Sequence, residues 1–310
     1  MYNIYTSYIF INLYNCILKF NMLKYLLLEV DIVKITLLGT GAVGYPLAFC
    51  NCQNCKNARE HKGKSIRKCS SILINDDLII DLGPDTQTAM NMYDKDMGKI
   101  KYLLQTHSHT DHYDENILCS RLEYKTKKNI NKIEIFAKSS CIQIMRDRIN
   151  QIENIDIFTD DGEKKINIQC NAVNSGEKFK FGDYKVKAIH TLHDEDALLY
   201  VVSWGDTSIF YATDTSSLTD EALNQLRGIK LDFIFMDHTF GNVDYSFSHL
   251  NEKLFLEQLD KLKNIGCIDE NTQIYGTHIS HEGHSYHEEI EENAMKNGYH
   301  IAYDGMTLEK

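Results

Sequence analysis

The chain has 310 residues and a formal net charge of −11, with 43% hydrophobic and 25% charged residues. This composition is typical of a globular protein that is long enough to bury a large core, and it excludes disordered and fibrous classes. The acidic balance disfavours a nucleic-acid backbone or an anionic membrane surface as the main partner.

Residues 1–30 differ in composition from the rest of the chain. They are apolar and aromatic, but polar residues between Asn12 and Lys24 interrupt them, so no run reaches the ~18 apolar residues of a spanning helix. A basic start and a small-residue cleavage site, typical of a signal peptide, are also unclear. We expect an N-terminal extension of unknown role without stable membrane insertion, and a membrane-surface helix is the alternative.

From Asp31 onward, short apolar runs and amphipathic segments alternate, which predicts an α/β fold. Strands are predicted at 33–39, 70–75, 78–81, 102–106, 132–137, 184–189, 198–203, 208–212, 231–236 and 273–275. Helices are predicted at 85–97, 139–150, 220–226, 251–264 and 288–297. Since no internal repeat and no Pro/Ser-rich linker divides this region, we expect one domain over residues 31–310.

A glycine-rich turn, Gly39-Thr-Gly-Ala-Val-Gly44, follows the first predicted strand. Its glycine spacing superficially matches that of a dinucleotide-binding loop, but such a loop leads directly into a helix. Here Tyr45-Pro46 follows at once, and Pro46 is incompatible with that helix start. We therefore reject a dinucleotide site at this turn.

Three histidines and one aspartate lie within six positions after the strand at 102–106: His107, His109, Asp111 and His112. Alternation along a strand would point His107 and His109 the same way, whereas a following turn would direct Asp111 and His112 elsewhere. Two such groups suit two neighbouring cations, and imidazole and carboxylate ligands match Zn, Mn or Fe. The alternative is a polar loop that happens to contain several histidines. It would account for any one of these histidines, but it does not account for the spacing of all four residues.

The His-x-His-x-Asp-His pattern resembles the signature of the metallo-β-lactamase-fold hydrolases, which implies an αββα sandwich. In that superfamily, two later histidines complete two metal sites and a further aspartate bridges them. The resemblance implies a dinuclear site made of His107, His109 and His193 for one metal, Asp111, His112 and His278 for the other, and Asp214 between them.

A second cluster, Cys50, Cys52 and Cys55, has the spacing of a structural zinc site that lacks its fourth ligand. Three cysteines cannot all pair, so disulfides are the weaker interpretation. Together with Arg67-Lys-Cys-Ser-Ser and Ile80-Asp-Leu-Gly83, the cluster resembles the phosphoribosyl 1,2-cyclic phosphate phosphodiesterases (the carbon–phosphorus lyase accessory protein). That resemblance covers about residues 34–310 and implies His281 as the fourth zinc ligand.

Several assignments stay open at this point. Either His190 or His193 could be the third histidine ligand of the first metal. We prefer His193, because its distance to Tyr200 in the sequence matches the related family.

The identity of the general acid, which would protonate a leaving alkoxide, is also open. The sequence resembles the tRNA 3′-processing branch at Asp237-His-Thr-Phe and at Phe247-Ser-His-Leu-Asn251, and this resemblance implies His249 as the general acid. His238 is the alternative.

Three further residues carry lesser expectations. Asp81 either orients a metal-binding histidine or caps its strand. His284 and His287 are expected to face solvent, although His284 lies close enough to the site in the sequence to matter.

The sequence therefore predicts a dinuclear hydrolase, a phosphodiesterase acting on a small or cyclic phosphodiester through a metal-bridging hydroxide. Asp111 and His249 are its expected catalytic residues, and its expected cofactors are two divalent metals (Zn or Mn) and one structural zinc. The alternatives are an RNA 3′-processing-like nuclease, a thioester or lactone hydrolase, and a non-catalytic metal-binding module. We expect a cytoplasmic location, and the segment Asn116–Ile168 is either a lid or an oligomer surface, which leaves a homodimer open.

Overall fold

The fold was obtained as a computed structural model, which describes residues 32–126 and 130–310. The predicted N-terminal extension, residues 1–30, lies outside the described residues. Within the described ranges, no helix combines the length and the apolar character that crossing a membrane requires.

The elements are numbered in chain order. The first half of the described chain contains β1 (Lys34–Gly39), α1 (Gln53–His61), β2 (Ser71–Ile74), β3 (Leu78–Ile80), α2 (Thr86–Met92), β4 (Tyr102–Leu104), α3 (Glu115–Cys119), β5 (Ile133–Ala137), α4 (Ser139–Glu153), α5 (Asp160–Ile166) and β6 (Ile168–Ala172). The second half contains β7 (Lys178–Phe181), β8 (Tyr184–Ile189), β9 (Leu199–Trp204), β10 (Thr207–Ala212), α6 (Asp220–Leu226), β11 (Phe233–Asp237), α7 (Glu252–Asn264), β12 (Gln273–Thr277), α8 (His287–Lys296), β13 (His300–Ile301) and β14 (Thr307–Glu309).

These strands form two mixed sheets of seven strands each. The order is β14-β1-β2-β3-β4-β5-β6 in the first sheet and β13-β12-β11-β10-β9-β8-β7 in the second. Strands β3 to β6 are parallel to one another, and so are β10 to β13. Parallel strands end at the same edge of a sheet, so the loops that follow β3, β4, β10, β11 and β12 can converge.

Three apolar clusters hold the layers together. One lies between the sheets, where Ile35 and Ile80 of the first sheet share a cluster with Tyr200 and Phe235 of the second. A second cluster includes Met145 of α4 and covers the outer face of the first sheet, and a third includes Phe255 of α7 on the second. Burial on both faces of both sheets produces the order helix, sheet, sheet, helix, which confirms the predicted αββα sandwich.

The predicted strands and helices all have counterparts, but several elements were missed. The missed elements are α1, α3, α5, β6, β7, β13 and β14. They are short, or they are polar on one face: β7 (Lys-Phe-Lys-Phe) is mostly exposed, and α1 buries only Cys55 and Ala58. The segment at 116–168 is largely built into β5, β6 and the helices beside them, so most of it belongs to the first sheet and its helical layer.

Candidate metal centre

The histidines and aspartates singled out in the sequence meet at the edge where the parallel strands end. Residues 106–112 follow β4, and His193 lies between β8 and β9. Asp214 follows β10, and His278 is the first residue after β12. Their donor atoms form two main groups, each within 4.8 Å of one another: His107, His109, His193 and Asp214, and Asp111, His112 and His278. A nitrogen of His249 also lies within this distance of Asp214 and His278.

Asp214 lies between the two groups and offers one carboxylate oxygen to each. Its Oδ1 is 3.5 Å from Nε2 of His193 and 3.9 Å from Nε2 of His107. Its Oδ2 is 2.9 Å from Nε2 of His112 and 3.1 Å from Nε2 of His278. This is the arrangement expected of a carboxylate that bridges two cations.

The outer nitrogens of the histidines are fixed by hydrogen bonds, which turns the inner nitrogens toward the centre. Nδ1 of His112 lies 2.7 Å from Oδ2 of Asp81, and Nδ1 of His107 lies 2.9 Å from the Thr106 hydroxyl. The Thr106 hydroxyl in turn donates to Asp81, so it accepts the proton on Nδ1 of His107. Nε2 is therefore the atom that each ring turns to the centre and that would bind a metal.

Two buried atoms of the centre make no hydrogen bond of acceptable geometry with the described residues: Nε2 of His107, and Oδ2 of Asp214 in spite of its short distances to His112 and His278. Unpaired polar atoms in a dry interior are costly, and a cation would satisfy both. Burial raises the pKa of the Asp214 carboxyl, but its interactions with His112 and the other imidazoles of the centre outweigh burial and hold that pKa well below its usual value. The donor set and its charge suit a dinuclear divalent metal site.

Three residues of this edge have left-handed backbone conformations: Asp81 (φ 66°), Asp214 (φ 54°) and His278 (φ 60°). Non-glycine residues rarely adopt positive φ, and such strain persists only where the surroundings enforce it. Each of the three follows the end of a strand. The sharp turn directs the side chains of Asp214 and His278 into the centre, and that of Asp81 to the outer nitrogen of His112.

The cysteine cluster forms a separate group of donor atoms. Cys50, Cys52, Cys55 and His281 bring one donor each within 4.8 Å, and the three cysteines are free thiols. Nδ1 of His281 lies 3.3 Å from Sγ of Cys50 and 3.5 Å from Sγ of Cys52. The main-chain N–H of Cys52 lowers the pKa of the Cys50 thiol to about 7, whereas burial raises that of Cys55 to about 12. Three sulfurs and one imidazole are the donors of a tetrahedral zinc site.

His249 lies against the dinuclear groups, and His238 does not. The His249 ring stacks on His278 with centroids 5.2 Å apart and lies 4.9 Å from the ring of His193. Its Nδ1 is 2.7 Å from Oδ2 of Asp237. Burial disfavours the charged form of His249, but the Asp237 carboxylate outweighs this effect and raises the pKa of the imidazole to about 9.

His238 points away from the centre, into the packing behind the loops. It is hydrogen-bonded to His284 and to the Tyr299 hydroxyl, and burial lowers its pKa to about 4. The expectation that His284 and His287 face solvent is wrong: 1% and 3% of their surface is exposed. His190 is half-exposed and lies 3.7 Å from Glu221, outside all the donor groups.

Two carboxylates beside the centre were missed as site residues. Asp237 holds His249, and Asp194 lies 3.1 Å from Nε2 of His109. Asp194 could have been predicted from the sequence, because it is adjacent to the expected ligand His193. Asp237 ends an apolar run, as Asp81 does, but its contact spans twelve residues and a loop, so no local spacing indicates it.

Comparison with protein families gives one match over most of the described chain. A family model described as "Beta-lactamase superfamily domain" matches residues 77–279. These residues include all seven members of the two donor groups but not the cysteine cluster. No curated protein matches the sequence.

Solved structures of similar fold cover nearly the whole chain at low identity. A diphosphatase from the PhnP family is 22% identical, with a TM-score of 0.69, over 90% of this chain and 97% of that one. The metallo-beta-lactamase fold protein YhfI from Bacillus subtilis is 18% identical, with a TM-score of 0.65, over 90% and 100%. The short form of human tRNase Z is 16% identical, with a TM-score of 0.59, over 89% and 98%. At these identities the similarity shows the fold alone.

Asp81 provides a test of the metal centre that leaves its ligands in place. The Asp81→Asn variant should bind divalent metal about 10–100-fold more weakly, because an amide offers one acceptor oxygen where the carboxylate holds His112, Thr106 and Gln105. Metal affinity is measured by competition with a chelator. The matched control is Asp304→Asn, a buried carboxylate bonded to Thr40 and the Lys68 N–H but to no histidine of the centre. Equal affinities of Asp81→Asn and wild type would contradict the role given to Asp81.

Proposed function

The chain belongs to the beta-lactamase superfamily domain family of hydrolytic metalloenzymes, and from this membership we propose that it is a phosphodiesterase acting on small or cyclic phosphodiesters. The observation that supports the proposal most directly is the position of Asp214, with one oxygen toward each of two histidine groups. A two-cation centre of this kind suits the in-line displacement of a phosphodiester.

The ligand assignments of the proposal follow the two donor groups. His107, His109 and His193 would hold one divalent cation, Asp111, His112 and His278 the other, and Asp214 both. When bound, two such cations stabilise the charge on the phosphate oxygens and activate the attacking water. Zn and Mn both match these ligands.

His249 is the residue that we propose as proton donor to the leaving oxygen. Asp237 occupies its Nδ1, and among the described residues its Nε2 has no hydrogen-bond partner, so Nε2 is the atom free to deliver a proton. The Asp237 carboxylate favours the protonated ring, which is the form that a general acid needs. Asp237 is thus a positioning residue, and His249 a catalytic one.

We also propose that Cys50, Cys52, Cys55 and His281 hold a structural zinc. Four ligands would fill its coordination shell, so this metal would take no part in the reaction. Its effect would be to fasten the loop that precedes α1 to the loop that follows β12. Asn54 supports the same junction, because its side chain donates to the His281 carbonyl at 2.8 Å.

The first experiment is hydrolysis of bis-p-nitrophenyl phosphate by the purified protein with Mn or Zn supplied. We expect metal-dependent cleavage of the diester, little cleavage of p-nitrophenyl phosphate, and no activity in the Asp111→Ala/His112→Ala double variant. That variant removes two ligands of one cation while leaving the first donor group intact.

A thioester, a lactone and an RNA with a 3′ extension are measured alongside. Turnover of the thioester or the lactone without turnover of the diester would reject the phosphodiesterase and move the proposal to carboxylic-ester chemistry. Cleavage of the RNA alone would instead favour the 3′-processing alternative.

The role of His249 predicts a dependence on the leaving group. His249→Ala should slow cleavage of a cyclic phosphate, whose leaving group is an alkoxide, by about 10²-fold or more. Cleavage of bis-p-nitrophenyl phosphate should fall far less, because p-nitrophenolate leaves without a proton. His190→Ala, which removes a histidine outside the donor groups, is the control. An equal loss on both substrates would show that His249 acts as a ligand or a structural residue instead.

The zinc proposal predicts a change in metal content that is separate from activity toward the diester. Cys55→Ser should contain one zinc fewer per chain by elemental analysis, while the two catalytic equivalents stay bound. Its thermal unfolding midpoint should fall, because the loops at Cys50 and His281 lose their link. Cys170→Ser, a half-buried cysteine outside the cluster, should keep the full metal content. Unchanged zinc in Cys55→Ser would exclude the site.

A further inference from the structure

Three aromatic residues form a group next to the proposed proton donor, His249. The aromatic cluster consists of Phe240, Tyr245 and Phe247. The ring of Phe240 is 5.5 Å from that of Tyr245 and 5.9 Å from that of Phe247, and the last two are 5.8 Å apart. These spacings are those of rings in direct contact.

The aromatic cluster faces water, unlike other groups of rings in this fold. Phe247 is 76% exposed and Tyr245 is 44% exposed. Rings such as Phe233 and Phe235 are fully buried between the sheets. Contiguous exposed aromatic surface is a common mark of a binding site.

The loop that carries the cluster is held in place by its own hydrogen bonds. The Asn251 side chain donates to the carbonyls of Val243 and Tyr245 at 3.0 and 3.3 Å. The main-chain N–H of Phe240 donates to the carbonyl of Leu250 at 3.0 Å. A side chain at Gly241 would meet the Gly283 carbonyl at 2.4 Å, so the loop lies tightly against its neighbour. The rings are therefore presented to solvent by a supported loop.

The cluster is continuous with the candidate metal centre. The Phe240 ring approaches the His249 ring edge-on, with centroids 5.8 Å apart. Nδ1 of His193 lies 3.5 Å from the carbonyl of Ser248, so the cluster loop also touches the first donor group. The aromatic surface therefore lies one imidazole ring away from the donor groups, since His249 contacts both Phe240 and His278.

We propose that the aromatic cluster binds the planar base of a nucleotide whose phosphodiester is cleaved at the metal centre. This inference rests on the proposed function, because the centre is taken to bind the phosphate. Nucleobases stack on aromatic side chains with little dependence on base identity, and a ribose provides the spacing between base and phosphate. The Tyr245 hydroxyl donates to Glu282, whose charge beside the rings favours a neutral base there over a second phosphate.

Binding is the primary test, because it does not depend on turnover. Metal-loaded protein is titrated calorimetrically with adenosine 5′-monophosphate and with ribose 5-phosphate, which lacks the base. We expect roughly tenfold tighter binding of the nucleotide by the wild type, equivalent to about 1.4 kcal/mol. Phe247→Ala should abolish that preference, and Phe247→Trp should keep it because the ring is retained. Phe158→Ala, which removes another exposed phenylalanine, should behave as wild type.

Two results would overturn the inference: equal affinities of the wild type for the two ligands, or an unchanged preference in Phe247→Ala. The unfolding midpoint of each variant shows whether the fold is kept, as the exposure of Phe247 leads us to expect.

A kinetic comparison separates this inference from the proposed function. The substrates are adenosine 2′,3′-cyclic phosphate and methyl riboside 2,3-cyclic phosphate, which share the reacting ring and differ in the base. Phe247→Ala should lower kcat/KM roughly tenfold on the first and leave the second unchanged. Nucleotide preference in binding without cleavage of any diester would reject the phosphodiesterase and keep the base site. Cleavage of both substrates without preference would reject the base site and keep the phosphodiesterase.

Discussion

The buried carboxylate of Asp81 is the contact on which the geometry of the centre depends. It accepts the Nδ1 proton of His112 directly and reaches His107 through the Thr106 hydroxyl. It thereby sets the tautomer of one histidine in each donor group. The backbone amide of Thr106 and the side chain of Gln105 bind the same carboxylate, so the loop after β4 is folded around it. Burial alone raises the pKa of Asp81, and the bonds from His112 and Thr106 oppose that effect.

The rest of the centre follows from strand ends that meet at one edge. Ile80 pairs with Leu104, and Ala212 with Met236, so the loops after these strands begin at the same level. Gly83 lets the loop after β3 approach closely, since a side chain there would lie 2.1 Å from the Asp111 carbonyl. The sheets therefore determine where the donor residues meet, and the left-handed turns at Asp214 and His278 determine which way their side chains point.

The resemblance to the metallo-β-lactamase-fold hydrolases implied which residues form the donor groups, and the apolar runs placed several of these residues at strand ends. His107 to His112 are within six residues, and Asp214 and His278 each follow a strand that was predicted from its apolar pattern. Sequence reasoning could not find contacts that arise only when distant loops meet. The pairing of Asp237 with His249 and the burial of His284 against His238 are of this kind. The strands β7 and β14 were missed because their patterns are too short or too polar for an apolar period to appear.

The cysteine cluster and the dinuclear groups are mechanically connected through one short segment. His281 lies three residues after His278, and the bridge between Gly41 and Ile279 fixes the residue next to His278 against the glycine-rich turn. A metal bond at His281 would thus restrain the segment 278–281, whose first residue, His278, has a left-handed backbone conformation. Strain at one residue persists only if its flanks cannot relax. Strand β12 holds the flank before His278, and the glycine-rich turn at Ile279 and the cysteine cluster at His281 lie along the flank after it. A metal bound far from the substrate would in this way contribute to the geometry of the centre without taking part in its chemistry.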